Sequence, residues 1–138
     1  GSSACIPTSV CCGDQVQFKL DYTVHGPIAA PAFALGIRDT SGIQILYMNS
    51  RLSGIPVRCA MPRSSVYCLI PRITLAPGQY TVHASVWGDD GSIVDRVEGA
   101  MILNVEAGPF YATADDSMLS FGKCLIDHTW TTEVPTTT

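Results

Sequence analysis

Residues 75–87 read LAPGQYTVHASVW, and this stretch decides the fold class. A Pro-Gly turn followed by a tyrosine and an alternating strand is typical of the corner at which a β-sandwich chain crosses between its sheets. We therefore expect the Tyr80 hydroxyl to tie this corner. Beyond it, apolar and polar side chains alternate, which predicts a strand with one face in the core and one outside. The core face would carry Tyr80, Val82, Ala84 and Val86, and the outer face Thr81, His83, Ser85 and Trp87.

The same alternation recurs along most of the chain. Residues 15–24 and 32–38 place apolar side chains at every second position, and the Asp39–Gly42 turn returns the chain into a second arm over 43–48. Further strands are predicted over 66–75, 93–97 and 99–105, with a bulge near Glu98 and Gly99. About seven short strands between regular turns predict an all-β, immunoglobulin-like or jelly-roll antiparallel β-sandwich. Its core is expected to contain Phe18, Leu20, Phe33, Leu35, Ile37, Tyr80, Val82 and Val86.

The 138 residues are expected to form one domain. We place an N-terminal linker with a cloning scar over residues 1–12, the sandwich over 13–130 and a disordered, Thr-rich tail over 131–138. A composition of 46% hydrophobic and 14% charged residues fits a core-rich β domain. The net charge is −4 and the basic residues form no cluster, which disfavours nucleic-acid binding.

The six cysteines, at positions 5, 11, 12, 59, 68 and 124, leave the redox compartment open. We favour reduced structural thiols over one or two disulfides, because the spacing lacks the density of a disulfide-stapled miniprotein. Zinc sites use closely spaced pairs of ligands, and Cys59 and Cys68 are too far apart for such a pair. The sequence therefore predicts no metal site and no cofactor.

Motifs for catalysis are missing. Residues 121–124 lack the glycine spacing and the hydroxyl of a phosphate-binding loop, and the chain has neither a serine nucleophile elbow nor a zinc-protease helix. The acidic pairs Asp89–Asp90 and Asp115–Asp116 could serve as the paired carboxylates of a glycoside hydrolase. Both pairs lie in turn-rich sequence, where aspartate is favoured by its bonds to the backbone. The sequence thus predicts a binding protein and not an enzyme.

A candidate binding surface follows from how the strands would pair. If the strand over 79–87 lies beside that over 32–38, the bulky outer side chains of the first adjoin the small ones of the second. The result is a trough about one sugar ring wide, on which a sugar would stack against indole and bond to nearby polar groups. We assign Trp87 to stacking and Arg38 to pairing with an anionic cap. The alternatives are that Trp87 lies under a loop or at a dimer contact, and that Arg38 pairs with Asp39 or another surface acid. The predicted ligand-binding residues are Trp87, His83, Ser85, Arg38, Thr81 and Gly36.

Several motifs, taken in their order, resemble one family. They are a hairpin over Phe33–Asp39, Gly42 and Tyr47–Ser50, followed by Leu75–Tyr80, Leu103–Val105, Gly108–Phe110, Gly122 and Ile126–Trp130. This order is similar to that in the C-terminal domain of the ATP-binding subunit of Wzt-type polysaccharide ABC transporters. The resemblance covers residues 13–130.

The resemblance implies an immunoglobulin-like carbohydrate-binding module without catalytic activity. The ATPase of such a subunit belongs to a separate domain, which we expect to be missing here. The module would bind the capped non-reducing end of an O-antigen glycan in the cytoplasm, where the full-length subunit lies at the inner membrane. Its partners would be the glycan and, through the nucleotide-binding domain, the transmembrane subunit of the exporter. It would bind no nucleic acid and would not insert directly into the membrane.

The resemblance also implies a homodimer that exchanges its C-terminal strand. Alternating apolar residues over 119–126 predict such a strand, which could pair with an open edge of the partner's sheet. Trp130 would anchor this strand or line a groove between subunits. The residues assigned to the terminal strand and dimer are Leu119, Phe121, Ile126 and Trp130. Two other functions stay open: a structural or adhesive extracellular β-sandwich with protein partners, and a glycan-processing enzyme that uses the acidic pairs.

Overall fold

The structure, a computed structural model, describes residues 8–23, 31–53, 63–88, 93–112 and 117–134. Almost all regular secondary structure within them is β, which confirms the predicted all-β class. The strands are β1 (Thr8–Cys11), β2 (Val16–Thr23), β3 (Ala32–Arg38), β4 (Gln44–Asn49), β5 (Arg63–Ile70), β6 (Gly78–Trp87) and β7 (Ile93–Glu106), and a 3-10 helix spans Ser50–Ser53. Within the described ranges, no helix is long and apolar enough to cross a membrane.

The strands form two sheets. The larger has five strands in the order β1-β7-β6-β3-β4, and the smaller pairs β2 with β5. Every strand pair in the described ranges is antiparallel except β1 with β7, which is parallel. β1 comes from the segment that we predicted to be a linker. It is held in the sheet because Val10 packs on the core and the neighbouring Cys12 is buried.

The core lies between the two sheets. Its fully buried side chains include Ile37 of β3, Leu103 of β7 and Leu75 from the turn before β6. Of the eight predicted core residues, seven are buried, and Leu20 is half-buried and packs against the others. On β2, β3 and β6, the alternation in the sequence therefore indicated correctly which face turns inward.

The turn before β6 is a tyrosine corner, as predicted. The Tyr80 hydroxyl donates a hydrogen bond to the carbonyl oxygen of Ala76 at 2.6 Å. Burial raises the pKa of Tyr80 to about 12, so the hydroxyl keeps its proton at neutral pH. The bond fixes the direction in which β6 leaves the corner and thereby which of its side chains face outward.

The turn between β3 and β4 is closed by Asp39, whose side chain is buried. Its Oδ1 accepts hydrogen bonds from the backbone N–H groups of Ser41 and Ile43 at 2.9 and 3.0 Å. Gly42 has a φ of 85°, a left-handed conformation that favours glycine. The Ile43 N–H, assisted by Lys123 Nζ at 3.4 Å from Oδ2, lowers the pKa of the Asp39 carboxyl. These contacts hold β4 beside β3.

β5 and β7 both depart from a regular ladder. β5 ends at Ile70, short of the predicted limit, because Pro71 has no N–H with which to continue the ladder. In β7, residues 98–100 stand opposite His83 alone, which makes a bulge. This bulge confirms the predicted irregularity near Glu98.

The segment over 117–134 does not contain the strand that we predicted over 119–126. It has a turn and one isolated bridge to the sandwich. The alternation fails because Leu119 and Leu125 are buried while Phe121 between them is exposed. The segment therefore lies on its own subunit as an irregular strap that inserts two leucines into the core.

Four cysteines lie in the described ranges, and all are free thiols: Cys11, Cys12, Cys68 and Cys124. Cys5 and Cys59 lie outside the described residues. Burial raises the pKa of the Cys12 and Cys68 thiols, so both stay protonated at neutral pH. In the part of the chain that the structure describes, no three His, Cys, Asp or Glu side chains come together as a metal site would require.

Candidate functional site

The predicted trough lies on the outer face of the five-stranded sheet, where β3 runs between β4 and β6. Directly paired residues on neighbouring strands point to the same face of a sheet. The register of β3 and β6 joins Ala32 with Trp87, Ala34 with Ser85, Gly36 with His83 and Arg38 with Thr81. The structure therefore brings all six predicted ligand-binding residues to one face of the sheet, although Gly36 itself is buried.

β4 forms a second wall of the trough, which the sequence analysis missed. Its outer residues pair with the same row of β3: Asn49 with Ala34, Tyr47 with Gly36 and Gln44 with Arg38. The Asn49 amide donates a hydrogen bond to the Tyr47 hydroxyl at 3.0 Å, and Tyr47 is 48% exposed. The signal was available in the sequence, because the predicted hairpin puts alternate β4 side chains on this face. The trough thus has its floor on β3 and its walls on β4 and β6.

The β6 wall is a row of side chains that bond to one another. Thr81 Oγ1 lies 3.1 Å from His83 Nε2, and the Trp87 indole N–H donates to Ser85 Oγ at 2.9 Å. Each contact joins residues two apart, which lie on the same face of a strand. The bonds orient these side chains and give the wall a polar surface that ends in an indole.

The floor of the trough is narrower than predicted. Ala32 and Ala34 are 0% and 2% exposed, although both lie on the outer face. Trp87 is half-buried, so it is not the fully exposed platform that we expected. Bulkier neighbours therefore cover much of the floor, and a ligand would meet mainly the walls.

Gly36 lets the side chain of Gln44 cross the floor. A Cβ atom at position 36 would lie 2.3 Å from Gln44 Oε1 and 3.1 Å from its Cδ. Non-bonded carbon atoms prefer separations of about 3.5–4.0 Å. Only glycine therefore allows the Gln44 amide to rest at this place.

One arginine lies at each end of the trough. Arg38 is half-buried at the end of β3, and its neighbour Asp39 is paired elsewhere. At the other end, Arg51 of the 3-10 helix donates from Nη2 to the Gly88 carbonyl oxygen at 2.7 Å, next to Trp87. The sequence analysis did not identify Arg51, because only the fold brings the 3-10 helix to the end of β6.

A second concave feature opens between β4 and β5, where the two sheets separate. It is a cavity of about 440 Å³ whose lining includes Leu20, Phe33, Met48, Val66 and the exposed Tyr67. Tyr47 and Asn49 of the β4 wall also border it. This lining is mostly apolar. A hydroxyl-rich ligand therefore finds fewer hydrogen-bonding groups here than in the trough.

The predicted terminal-strand residues lie in the segment over 117–134, separate from the trough walls. Phe121, Ile126 and Trp130 are 83%, 71% and 91% exposed, whereas Leu119 is buried. Single exposed apolar side chains are common on protein surfaces. Three large apolar side chains on this one segment are thus exposed to solvent.

The same segment is fastened to the sandwich by polar contacts. The Tyr111 hydroxyl donates to the carbonyl oxygen of Ile126 at 3.2 Å and accepts from its backbone N–H at 3.1 Å. Arg72 pairs with Asp127, and its guanidinium lies 3.6 Å above the ring of Phe110. These contacts hold Ile126 at the surface of its own subunit.

The chain matches the model of one protein family, the Wzt C-terminal domain, over residues 3–116. Among solved structures, it is similar to one described as the crystal structure of the C-terminal domain of Wzt, with a TM-score of 0.66 and 17% sequence identity. That similarity covers 91% of this chain and 74% of the other. At this identity, the solved structure shows the fold alone. A comparison with curated proteins finds no match.

Proposed function

The chain belongs to the Wzt C-terminal domain family, and from that premise we propose that it binds the capped non-reducing end of an O-antigen polysaccharide and recruits the finished glycan to its ABC exporter. Family membership supports the broader role, that of a non-catalytic carbohydrate-binding domain in an O-antigen transporter. Recognition of the capped end is the finer proposal, and the trough is the place that we assign to it.

The observation that carries this assignment is the pairing of β4, β3 and β6. It puts Tyr47 and Trp87 on opposite walls of a floor that contains Ala34 and Gly36. Aromatic rings offer apolar contact to the C–H face of a sugar, while neighbouring amides and hydroxyls bond to its hydroxyl groups. A strand rises about 3.3 Å per residue, so the floor along β3 is about 20 Å long. A chain of several sugar rings can lie between walls of this length.

The modified end of the glycan would lie at one of the two arginines. Arg38 remains our proposal for contact with an anionic cap, because a guanidinium makes charge-assisted hydrogen bonds to phosphate or carboxylate. Arg51 is the second candidate, because it is held beside Trp87 by its bond to Gly88. Arg38→Ala should weaken binding only if the cap is anionic, so this variant reports on the chemistry of the cap.

We also propose a homodimer in which the segment over 117–134 of one subunit docks on the other. The exposed side chains of Phe121, Ile126 and Trp130 support this, because a partner subunit could cover their apolar surface. Within the described structure, each strand of the smaller sheet has one unpaired edge, and such an edge is a template for a further strand. The segment would become a strand only when it adds to the partner's sheet.

We place the module in the cytoplasm at the inner membrane as part of a full-length transporter subunit. It would contact the transmembrane subunit only through the nucleotide-binding domain of its own full-length subunit. Glycan binding at the trough requires neither nucleic acid nor insertion into the membrane.

An extracellular structural or adhesive β-sandwich is the alternative function. Such a protein is expected to use disulfides, whereas the four described cysteines are free thiols. A glycan-processing enzyme would use the acidic pairs at 89–90 and 115–116, which lie outside the described residues. Glycan binding by the trough therefore has the broader support.

A glycan array that carries O-antigen fragments with and without defined terminal modifications tests this function. We expect the wild-type protein to bind a capped fragment and to bind the uncapped fragment of the same repeat more weakly. Tyr47→Ala should weaken binding, and the matched variant Tyr67→Ala, on the smaller sheet, should not. Equal binding of capped and uncapped fragments would contradict end recognition. Absence of binding to every glycan would favour the adhesive alternative.

A further inference from the structure

Gln44 reaches the floor of the trough because β4 contains a bulge. Ile37 pairs with Leu46, yet the next residue of β3, Arg38, pairs with Gln44, so Ile45 is the extra residue. In a regular ladder, Arg38 would stand opposite Ile45, and the isoleucine would face outward. The bulge instead lets Ile45 pack against the core and brings Gln44 to the outer face.

The Gln44 amide lies in the middle of the trough. A methyl group at position 36 would be 2.3 Å from its Oε1 and 3.7 Å from its Nε2, so the amide rests directly on the Gly36 backbone. Gly36 itself stands between Tyr47 on β4 and His83 on β6. A ligand that contacts Tyr47 and His83 across Gly36 therefore also meets this amide.

In the described part of the chain, no other side chain or backbone group bonds to the Gln44 amide. Its neighbours on the walls bond to each other instead, as in the pairs Asn49–Tyr47 and Trp87–Ser85. An amide carries two N–H donors and a carbonyl acceptor in one plane. Both kinds of group face the trough without a partner among the described residues.

We propose that Gln44 determines which sugar the trough accepts, by binding two adjacent hydroxyl groups of one neutral pyranose. The amide nitrogen donates to one hydroxyl and the carbonyl oxygen accepts from the other. This inference rests on the proposed glycan binding. Adjacent hydroxyls match the amide because each of them can donate and accept. A sugar that lacks one of them leaves part of the amide unpaired, and that loss discriminates against it. Gly36 is a positioning residue, since it keeps the amide on the floor.

The test measures the binding of the methyl glycosides of glucose, galactose and mannose, and of their monodeoxy analogues, by chemical-shift titration of the isotope-labelled chain. Gln44→Ala should weaken binding of the best methyl glycoside about tenfold, since it removes two neutral hydrogen bonds. Wild-type protein should discriminate against two monodeoxy analogues of that sugar, which lack one or the other of two adjacent hydroxyl groups. Gln44→Ala should bind the sugar and both of these analogues equally.

Gly36→Ala separates positioning from general structural effects. It should weaken binding about as much as Gln44→Ala, because the added methyl group displaces the amide. The variant that combines both substitutions should lose no more affinity than Gln44→Ala alone. If Gly36→Ala acted only by disturbing the structure, its loss of affinity would add to that of Gln44→Ala. Gln17→Ala, which removes an exposed amide from the smaller sheet, is the matched control and should bind like wild type.

Unchanged affinity in Gln44→Ala, with binding lost in Trp87→Ala, would overturn the role of Gln44 and leave the trough as the glycan site. Tighter binding by Gln44→Ala would overturn it too, because the amide would then obstruct the ligand. Failure of every methyl glycoside to bind, while array fragments do bind, would overturn recognition of a single pyranose. Failure of both sets of ligands would overturn the proposed function itself.

Discussion

Replacement of Trp87 by alanine tests the β6 wall of the trough. Trp87 is half-buried, stands opposite the fully buried Ala32 and donates its indole N–H to Ser85. Stacking of a sugar on the indole should contribute about 1–2 kcal/mol, by analogy with other aromatic contacts. Because about 1.4 kcal/mol corresponds to a tenfold change in affinity, we expect the Kd of the bound glycan to rise about tenfold.

The same substitution should also lower the stability of the domain. Truncation of a fully buried tryptophan to alanine costs about 3–5 kcal/mol, so we expect a loss of about 2 kcal/mol for this half-buried one. A loss of 1 kcal/mol lowers the Tm of a domain of this size by about 3–5 °C. The Tm should therefore fall by several degrees, while the domain stays folded at room temperature.

Calorimetric titration well below the Tm, paired with a thermal scan, measures both effects. Trp87→Phe is the matched control, because it keeps a ring for stacking and loses only the bond to Ser85. We expect it to retain most of the affinity. An unchanged Kd in Trp87→Ala would refute the assignment of the indole to the ligand. Unfolding of that variant at room temperature would identify Trp87 as a core residue and place the sugar elsewhere.

Three further predictions concern the strap, the turn and the thiols. Deletion of residues 118–138 should give monomers or aggregates in light scattering, because it removes the exposed apolar surface and uncovers part of the core; a well-folded dimer would contradict the exchange model. The pKa of Asp39 lies below its ordinary 3.8 in the folded chain, so ionisation of its carboxyl stabilises the fold above about pH 4. This stabilisation is lost as the pH falls through the lowered pKa. The Tm values of wild type and Asp39→Asn should therefore converge in acid, and a difference that stays constant with pH would refute this. With a thiol reagent, the exposed Cys124 should react quickly and the buried Cys12 slowly, and Cys124→Ser should lack the fast phase. In denaturant all six cysteines should react, and a smaller number would indicate disulfides.

The pairing of β3 with β6 could be predicted from the sequence because local signals mark both strands. The Pro77–Gly78 turn sets the start of β6, and the Tyr80 hydroxyl fixes which face turns inward. On β3, the small residues Ala34 and Gly36 alternate with large apolar ones, so the outer face could be identified before its neighbours were known. A shift of one residue in the pairing of two strands turns the apolar side chains of one strand to the wrong face of the sheet. Only a few registers are therefore possible once the inner face of each strand is known.

The features that the sequence did not reveal have two causes. Some depend on pairing between segments far apart in the chain, and others on which of several neighbouring apolar residues enters the core. β1 pairs in parallel with β7, about a hundred residues away along the chain. The bulge in β4 depends on whether Ile45 or its neighbour fills the core, and periodicity alone does not decide between them. In the strap, Leu119 and Phe121 both read as core residues, yet only Leu119 is inserted.

The position of the glycan end in the trough is tested most directly by mapping the backbone chemical-shift changes that a capped oligosaccharide causes. We predict the largest changes along β3 and on both walls, at Gly36, Gln44 and His83, together with a shift of the Trp87 indole N–H signal. The largest changes over residues 117–134, or around the cavity between β4 and β5, with the trough unaffected, would contradict this position.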